Sequence, residues 1–340
     1  MRQAARWGFE EGEMELSEGP SGSSTKKATR LTRQDVVDGF QWILGRPPES
    51  EETINAHLAL QTVAELRQAL IASAEFSVAN KFFRFPEKWV RAPVYAGQFE
   101  MWLDLHDLYV SYGCLNDSYE PLETAFIKAN TPAGGRFLDI GANIGWHTLG
   151  LARIAGAQGR VYSFEPRSPT NTYLRRTIEQ NGLGDVVKVH DFGLWSEEAT
   201  LDLGWHQDTV NPGNSYIAHA GEGLTTQRID LKRLDDVVDE TIDFIKIDVE
   251  GAEPKVFEGA RRLIEASRPL ILAELNPDQL QSVSGVTSAQ FISQMAAFGY
   301  ECRVLEPGHE GKPITDFPTE IGRELTNVVF VPRGKTVAFG

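Results

Sequence analysis

Four carboxylates stand at or near the ends of short apolar runs: Asp139 in Gly135-Arg-Phe-Leu-Asp-Ile140, Glu165 after Val161-Tyr-Ser-Phe164, Asp248 closing Asp243-Phe-Ile-Lys-Ile-Asp248, and Glu274 closing Pro269-Leu-Ile-Leu-Ala-Glu274. Such a group can accept hydrogen bonds from a diol, take a proton from a weak nucleophile or hold a hard cation. The turn after Asp139 narrows the choice. Gly141 and Gly145 bracket it, so a ligand can approach the backbone closely, and the following helix aims free N–H groups at that ligand. Glu165, ending the very next strand, is placed to accept two hydrogen bonds from a ribose, and the combination points to a nucleoside. Counted from Gly141, the third and sixth positions are Asn143 and Trp146 rather than glycine, which argues against a dinucleotide and so against a nicotinamide-dependent oxidoreductase. The Lys-Ser/Thr pair of a phosphate-cradling loop is missing as well.

A nucleoside that carries no phosphate suggests S-adenosylmethionine, whose amino and carboxylate groups would meet Asp139 and the free N–H groups. Asp191 and Phe192, after Val186-Val-Lys-Val189, are placed to offer adenine an acceptor and an apolar contact. A solvated acid at a strand end is the plainer alternative.

The elements that must position these groups alternate. A strand to Ile140 leads to a helix over Trp146–Ile154, and Val161–Phe164 leads to a helix from Pro169 to Asn181. Strands at Asp243–Asp248 and Pro269–Glu274 precede helices at Pro254–Ala266 and Ser288–Phe298, and strands at Glu301–Leu305 and Val328–Val331 finish the chain. Ala199–Trp205 alternates as a hairpin or edge strand. This pattern predicts an α/β fold with a mostly parallel sheet and ligands at the carboxyl ends of its strands.

Upstream the pattern changes. Residues 1–29, ending in Glu18-Gly-Pro-Ser-Gly-Ser-Ser-Thr-Lys-Lys27, have too few core-forming side chains to offset ordering entropy and read as a disordered tail. Residues 30–83 read as a small all-helical domain, opened by Thr32 as N-cap with Asp35 three residues on. Residues 84–130 read as a linker with cap or lid helices, Pro121 starting one of them, and residues 131–340 as the binding domain.

With 340 residues, one large domain and a small one are expected. A net charge of −15 disfavours nucleic acid or an anionic membrane surface as partner. Cys114 and Cys302 lack metal-ligand spacing and fit a reducing compartment, a single disulfide being the alternative. Without a long apolar run or a signal-peptide core, a cytoplasmic location is expected.

Several blocks now become specific in combination. Asp139-Ile-Gly-Ala-Asn-Ile-Gly145 with Thr148, Glu165-Pro166, Ile245-Lys-Ile-Asp-Val-Glu-Gly251 with Glu253 and Gly259-Ala260, Glu274, and Asn327-Val-Val-Phe-Val-Pro332 together resemble the FkbM family of methyltransferases. The resemblance implies the Rossmann-like class I methyltransferase sheet with an antiparallel last strand. It implies S-adenosylmethionine as cofactor and a hydroxyl acceptor, often on a sugar or polyketide. It also adds Thr148 and Pro166 to Asp139, Gly141, Asn143, Gly145, Glu165, Asp191, Phe192 and Asp248 as cofactor-site candidates. Residues 30–83, with Ile43-Leu-Gly-Arg-Pro-Pro48 and Ser73-Ala-Glu-Phe76, resemble a small helical domain often found beside glycan-acting enzymes; a helical cap on the main domain is the alternative.

Methyl transfer to a hydroxyl needs alignment of nucleophile, methyl and sulfur, and removal of the hydroxyl proton. Asp248 is the first candidate for the proton, with Glu250, Glu274, Lys246 and His147 near it in pattern. A magnesium ion held by some of Asp248, Glu250 and Glu274 could replace a protein base. Lys246 could equally be a structural ion pair, and His147 a packing residue. Ser215 and Tyr216, in the polar stretch 206–224, are candidate acceptor contacts or part of an ordinary loop. A glycan acceptor, contact of a protein or glycan with residues 30–83, and a homo-oligomer are all compatible with the chain. The non-enzymatic alternative is an inactive methyltransferase-like scaffold, against which the intact acids argue.

Overall fold

A computed structural model of the chain describes residues 31–60, 62–71, 73, 75–76, 89–205, 215–217, 224–316 and 325–339. The expected tail and most of the 206–224 stretch lie outside the described residues. The chain divides into two compact units, residues 1–84 and 85–340.

In the first unit, helices Arg33–Leu44, Glu51–His57 and Val63–Ile71 enclose Val36, Phe40, Ile54, Leu66 and Leu70. Thr32 and Asp35 form a reciprocal capping box: Asp35 N–H donates to Thr32 Oγ1 at 3.2 Å and Thr32 N–H to Asp35 Oδ2 at 2.8 Å. Arg46 ties the unit's loops, pairing with Glu49 at 2.8 Å and with Glu75.

The second unit opens with a hairpin that the sequence pattern did not announce: β1 (Trp89–Val94) pairs antiparallel with β2 (Phe99–Asp104). Aromatic and acidic residues mix along it because both edges find partners. Trp89 stacks on Tyr173 at 3.8 Å, and the hydroxyl of Tyr95, just past β1, donates to Trp146 O at 2.8 Å. Helices Val110–Leu115 and Pro121–Asn130 follow.

The main sheet contains β3 (Arg136–Ile140), β4 (Arg160–Phe164), β5 (Val187–His190), β10 (Phe244–Ile247), β11 (Leu270–Leu275), β12 (Tyr300–Val304) and β13 (Thr326–Pro332), in the order β12-β13-β11-β10-β3-β4-β5. The five strands from β11 to β5 are parallel; β13 inserts antiparallel between β11 and β12. This is the mostly parallel class I sheet with the antiparallel last strand. Strand order reverses between β3 and β10. Two apolar cores cover its faces, one around Phe257, Phe291 and Phe330 and the other around Phe137, Leu149 and Phe244. Cys302 lies in the first and Cys114 in the second, so the sheet itself keeps these thiols from pairing.

Between β5 and β10 the chain builds a second sheet from β6 (Gly193–Leu194), β7 (Ala199–Trp205), β8 (Tyr216–Ile217) and β9 (Thr225–Lys232), ordered β6-β9-β7-β8. The helix expected over Pro254–Ala266 is two helices, Glu253–Glu258 and Arg261–Ser267. They break at Gly259-Ala260, where a Cβ on Gly259 would lie 2.0 Å from the carbonyl oxygen of Trp195.

Candidate active site

The turn after β3 and the end of β10 meet at the reversal of strand order. Gly141 has φ +80°, and a Cβ there would fall 1.8 Å from Asp248 O, so this contact requires glycine. Gly141 and Ala142 both donate to Phe164 O at 3.0 Å, tying the turn to β4. Asn143, also left-handed at φ 49°, donates its N–H to Glu165 Oε2 at 2.9 Å, and Arg167 N–H donates to Glu165 Oε1 at 2.9 Å. Burial lifts the Glu165 carboxyl to about 7 against the pull of these N–H groups.

A cleft of about 750 Å³ opens in front of this turn. Gly141, Asn143, Glu165 and Pro166 line one side and Asp248 and Glu250 the base. Gly193, Leu194 and Trp195, with Leu203 of β7 and Ile229 and Leu231 of β9, also line the cleft. Ser215 and Tyr216 line it as well.

Other candidates stand back. Asp139 is 1% exposed; its Oδ2 accepts from Thr148 Oγ1 at 2.5 Å, and Thr148 Oγ1 meets Ser163 Oγ at 3.0 Å. Asp139 Oδ1 is buried with no hydrogen-bond partner. Asp139 and Thr148 therefore support the turn from behind, as does Gly145 at the helix start. Asp191 and Phe192, the expected adenine contacts, do not line the cleft. Asp191 pairs with Arg175 at 3.4 Å, and Phe192 lies under Lys232, whose Nζ is 4.5 Å from its ring centre. The next three residues, Gly193, Leu194 and Trp195, line the cleft instead.

Asp248 faces a second group as well. Oxygens of Glu120, Asp248 and Glu274 all lie within 4.8 Å of one another. Lys246 Nζ is 3.1 Å from Asp248 Oδ2, and His147 Nε2 is 2.6 Å from Glu120 Oε2. Lys246 pairs in register with Asp139 across β10 and β3, which sets it on that face of the sheet. Burial opposes its charge, but Asp248, Glu120, Asp139 and Glu274 together hold its ammonium above the ordinary range. Asp248 and burial push Glu274 up to about 9, and burial with Asp248 lifts Glu250 to about 7. Burial would raise Glu120 too, yet the His147 hydrogen bond and the Lys246 charge bring it down to about 2.

The carboxylate triplet thus differs from the expected set of Asp248, Glu250 and Glu274. Glu250 sits at φ 52° in the turn after β10 and faces the cleft, and Glu120 takes its place. Sequence reasoning passed over Glu120 as the residue before a helix. Its left-handed backbone, φ 42°, is visible only in three dimensions. Glu120, Asn143 and Glu250 are non-glycine residues in that costly region, and all three surround this site.

A doubly wound sheet with a cleft at its reversal point, a buried carboxylate held against the glycine turn and a carboxylate cluster sharing Asp248 with that cleft fits the class I methyltransferase fold. Residues 139–302 match the family described as the methyltransferase FkbM domain. Methyltransferase 1 of Beauveria bassiana (strain ARSEF 2860) is 29% identical over 163 residues, covering 41% of this chain and 63% of that protein. Methyltransferase sdnD of Sordaria araneosa is 30% identical over 164 residues, covering 38% of this chain and 62% of that one. The match thus spans less than two thirds of either relative. The crystal structure of methyltransferase FkbM from Methylobacillus flagellatus KT aligns at 18% identity and a TM-score of 0.38, covering 86% of this chain and 58% of that one. The match to this methyltransferase family implies S-adenosylmethionine as cofactor. Among the described residues, no helix is long and apolar enough to cross a membrane.

Proposed function

We propose that the protein transfers a methyl group from S-adenosylmethionine to a hydroxyl, and that the acceptor is a sugar of a glycan or glycosylated metabolite. The observation that carries this reading is the double membership of Asp248, which lines the cleft with Glu165 and belongs to the cluster with Glu120 and Glu274. The bare backbone at Gly141 and the carboxylate of Glu165 fit a nucleoside, and the unpartnered Oδ1 of Asp139 leaves an acceptor behind the turn. When bound, the cofactor supplies an electrophilic methyl on a sulfonium. Gly141, Asn143 and Glu165 would hold it, with Leu194 and Trp195 against its ring.

Asp248, at the junction, would take the proton of the acceptor hydroxyl as attack proceeds, and Lys246 fixes the direction of its carboxylate. Tyr216 and Ser215 offer the aromatic face and hydroxyl that a sugar site uses. The helical unit's resemblance to domains beside glycan-acting enzymes supports the same acceptor class. Calorimetric titration with S-adenosylmethionine, S-adenosylhomocysteine and NAD tests the cofactor: the adenosyl ligands bind and NAD does not. Labelled-methyl transfer onto carbohydrate acceptors then tests the class. Folded protein that binds neither adenosyl ligand sinks the proposal.

A further inference from the structure

Three carboxylates drawn together, two at strand ends and Glu120 ahead of a helix, are a donor set that a hard divalent cation accepts. Here two of the three carboxylates are already engaged. Lys246 reaches Asp248 Oδ2 at 3.1 Å from a side chain that is 9% exposed, so its ammonium cannot turn to water for compensation. The charge that holds it comes from Asp248, Glu120, Asp139 and Glu274, which include all three members of the triplet. On the far flank Glu120 Oε2 is occupied by His147 Nε2 at 2.6 Å. A magnesium ion needs oxygens at about 2.0–2.1 Å in near-octahedral order. An ion bound to Asp248 at that distance would sit beside a buried ammonium bound to the same carboxylate, and the two positive charges would repel at short range in a poorly screened site.

We propose that the Lys246 ammonium is the resident cation of the Glu120–Asp248–Glu274 cluster, standing where a divalent metal would otherwise bind. This deepens the methyltransferase reading and rests on it for its meaning in catalysis: Lys246 is a positioning residue that keeps the Asp248 carboxylate aimed, and proton removal proceeds without a metal-bound hydroxyl. Glu120, brought in by the segment ahead of the binding domain, completes the charge around that ammonium.

The test is a titration of the full chain with Mn2+, followed by loss of the free-ion paramagnetic resonance signal. Wild type and Lys246→Arg are expected to bind none at this cluster up to ~1 mM, the weak end of biological cation sites. Lys246→Met opens the position and gains Mn2+ affinity by tenfold or more, and adding Glu120→Gln removes the gain. Mn2+ binding by wild type that Glu120→Gln abolishes would overturn the proposal. So would a folded Lys246→Met that takes no Mn2+. Should Lys246→Met fail to fold, the comparison of wild type with Glu120→Gln still decides. Calorimetry with S-adenosylhomocysteine on the same wild-type sample judges the cofactor reading separately, because the Mn2+ result does not depend on it.

Discussion

Glu165 carries two duties at once. Each oxygen already accepts a backbone N–H, from Asn143 and from Arg167, and each has a second lone pair to offer a ligand hydroxyl. Glu165→Ala is therefore expected to weaken S-adenosylhomocysteine binding by about 1.5–3 kcal/mol, the range for a hydrogen bond to a charged group. Unchanged affinity in a calorimetric titration of folded protein would remove the ribose role. Asp248→Asn keeps the size of the side chain but cannot take a proton. It is expected to leave cofactor affinity within a factor of a few and lower methyl transfer by about 10²-fold or more. An Asn variant as active as wild type would show that the proton leaves by another group.

At the scale of elements, the site depends on how closely β3 and β10 end against each other. Asp248 N–H donates to Ile140 O at 3.0 Å, so the two strand ends are locked before either turn begins. Gly141→Ala would set a methyl 1.8 Å from the Asp248 carbonyl on a backbone at φ +80°. Strain alone costs of order 1–3 kcal/mol, and the clash adds to it. The expected outcome is a fall in melting temperature of several degrees with loss of adenosyl binding; a variant that melts and binds like wild type would mean the turn is freer than its contacts imply. The hairpin β1–β2 enters the same argument, since Tyr95 stacks on Trp146 at 4.2 Å at the start of the helix that follows the turn.

For the whole molecule, buried carboxyls set the pH response. Glu165, Glu250, Glu253 and Glu274 are lifted to about 7, 7, 8 and 9. For each, the folded chain keeps a proton that the unfolded chain has already lost above about pH 4.3. Stability from these groups is therefore greatest below that pH and declines as pH rises through the folded values, by ~1.4 kcal/mol per unit for each group still protonated only in the folded state. Glu120, depressed to about 2, works in the opposite direction, adding stability that disappears as pH falls from near 4.5 toward 2. Denaturant midpoints should peak at pH ~4.5 and fall steadily toward pH ~9. Glu253, 1% exposed with Oε1 accepting from Val249 N–H at 3.1 Å, is the cleanest probe. Glu253→Gln should flatten the curve between pH 5 and 8, and a profile unchanged by it would assign the slope to the other three.

The chain's local patterns determined the alternation of strands and helices, the glycine turn, the capping box at Thr32 and the carboxylates at strand ends. Each depends on neighbours a few residues apart, where periodicity and turn chemistry act. Gly141, Asn143, Glu165 and Asp248 were legible for that reason, and all four line the cleft. The rest needed the strand order. Glu120 precedes the main sheet, and only the helix at Pro121–Asn130, packed beside the one at Trp146–Ala155, brings it to His147 and Asp248. Gly193, Leu194 and Trp195 line the cleft in place of the expected Asp191 and Phe192, beside side chains of a second sheet paired over long range between β7 and β9. Which acids share an ammonium is likewise set by register, with Lys246 beside Asp139 and Asp248 beyond the strand end. Those pairings join residues distant in the chain, and their energy exists only once the sheet has formed.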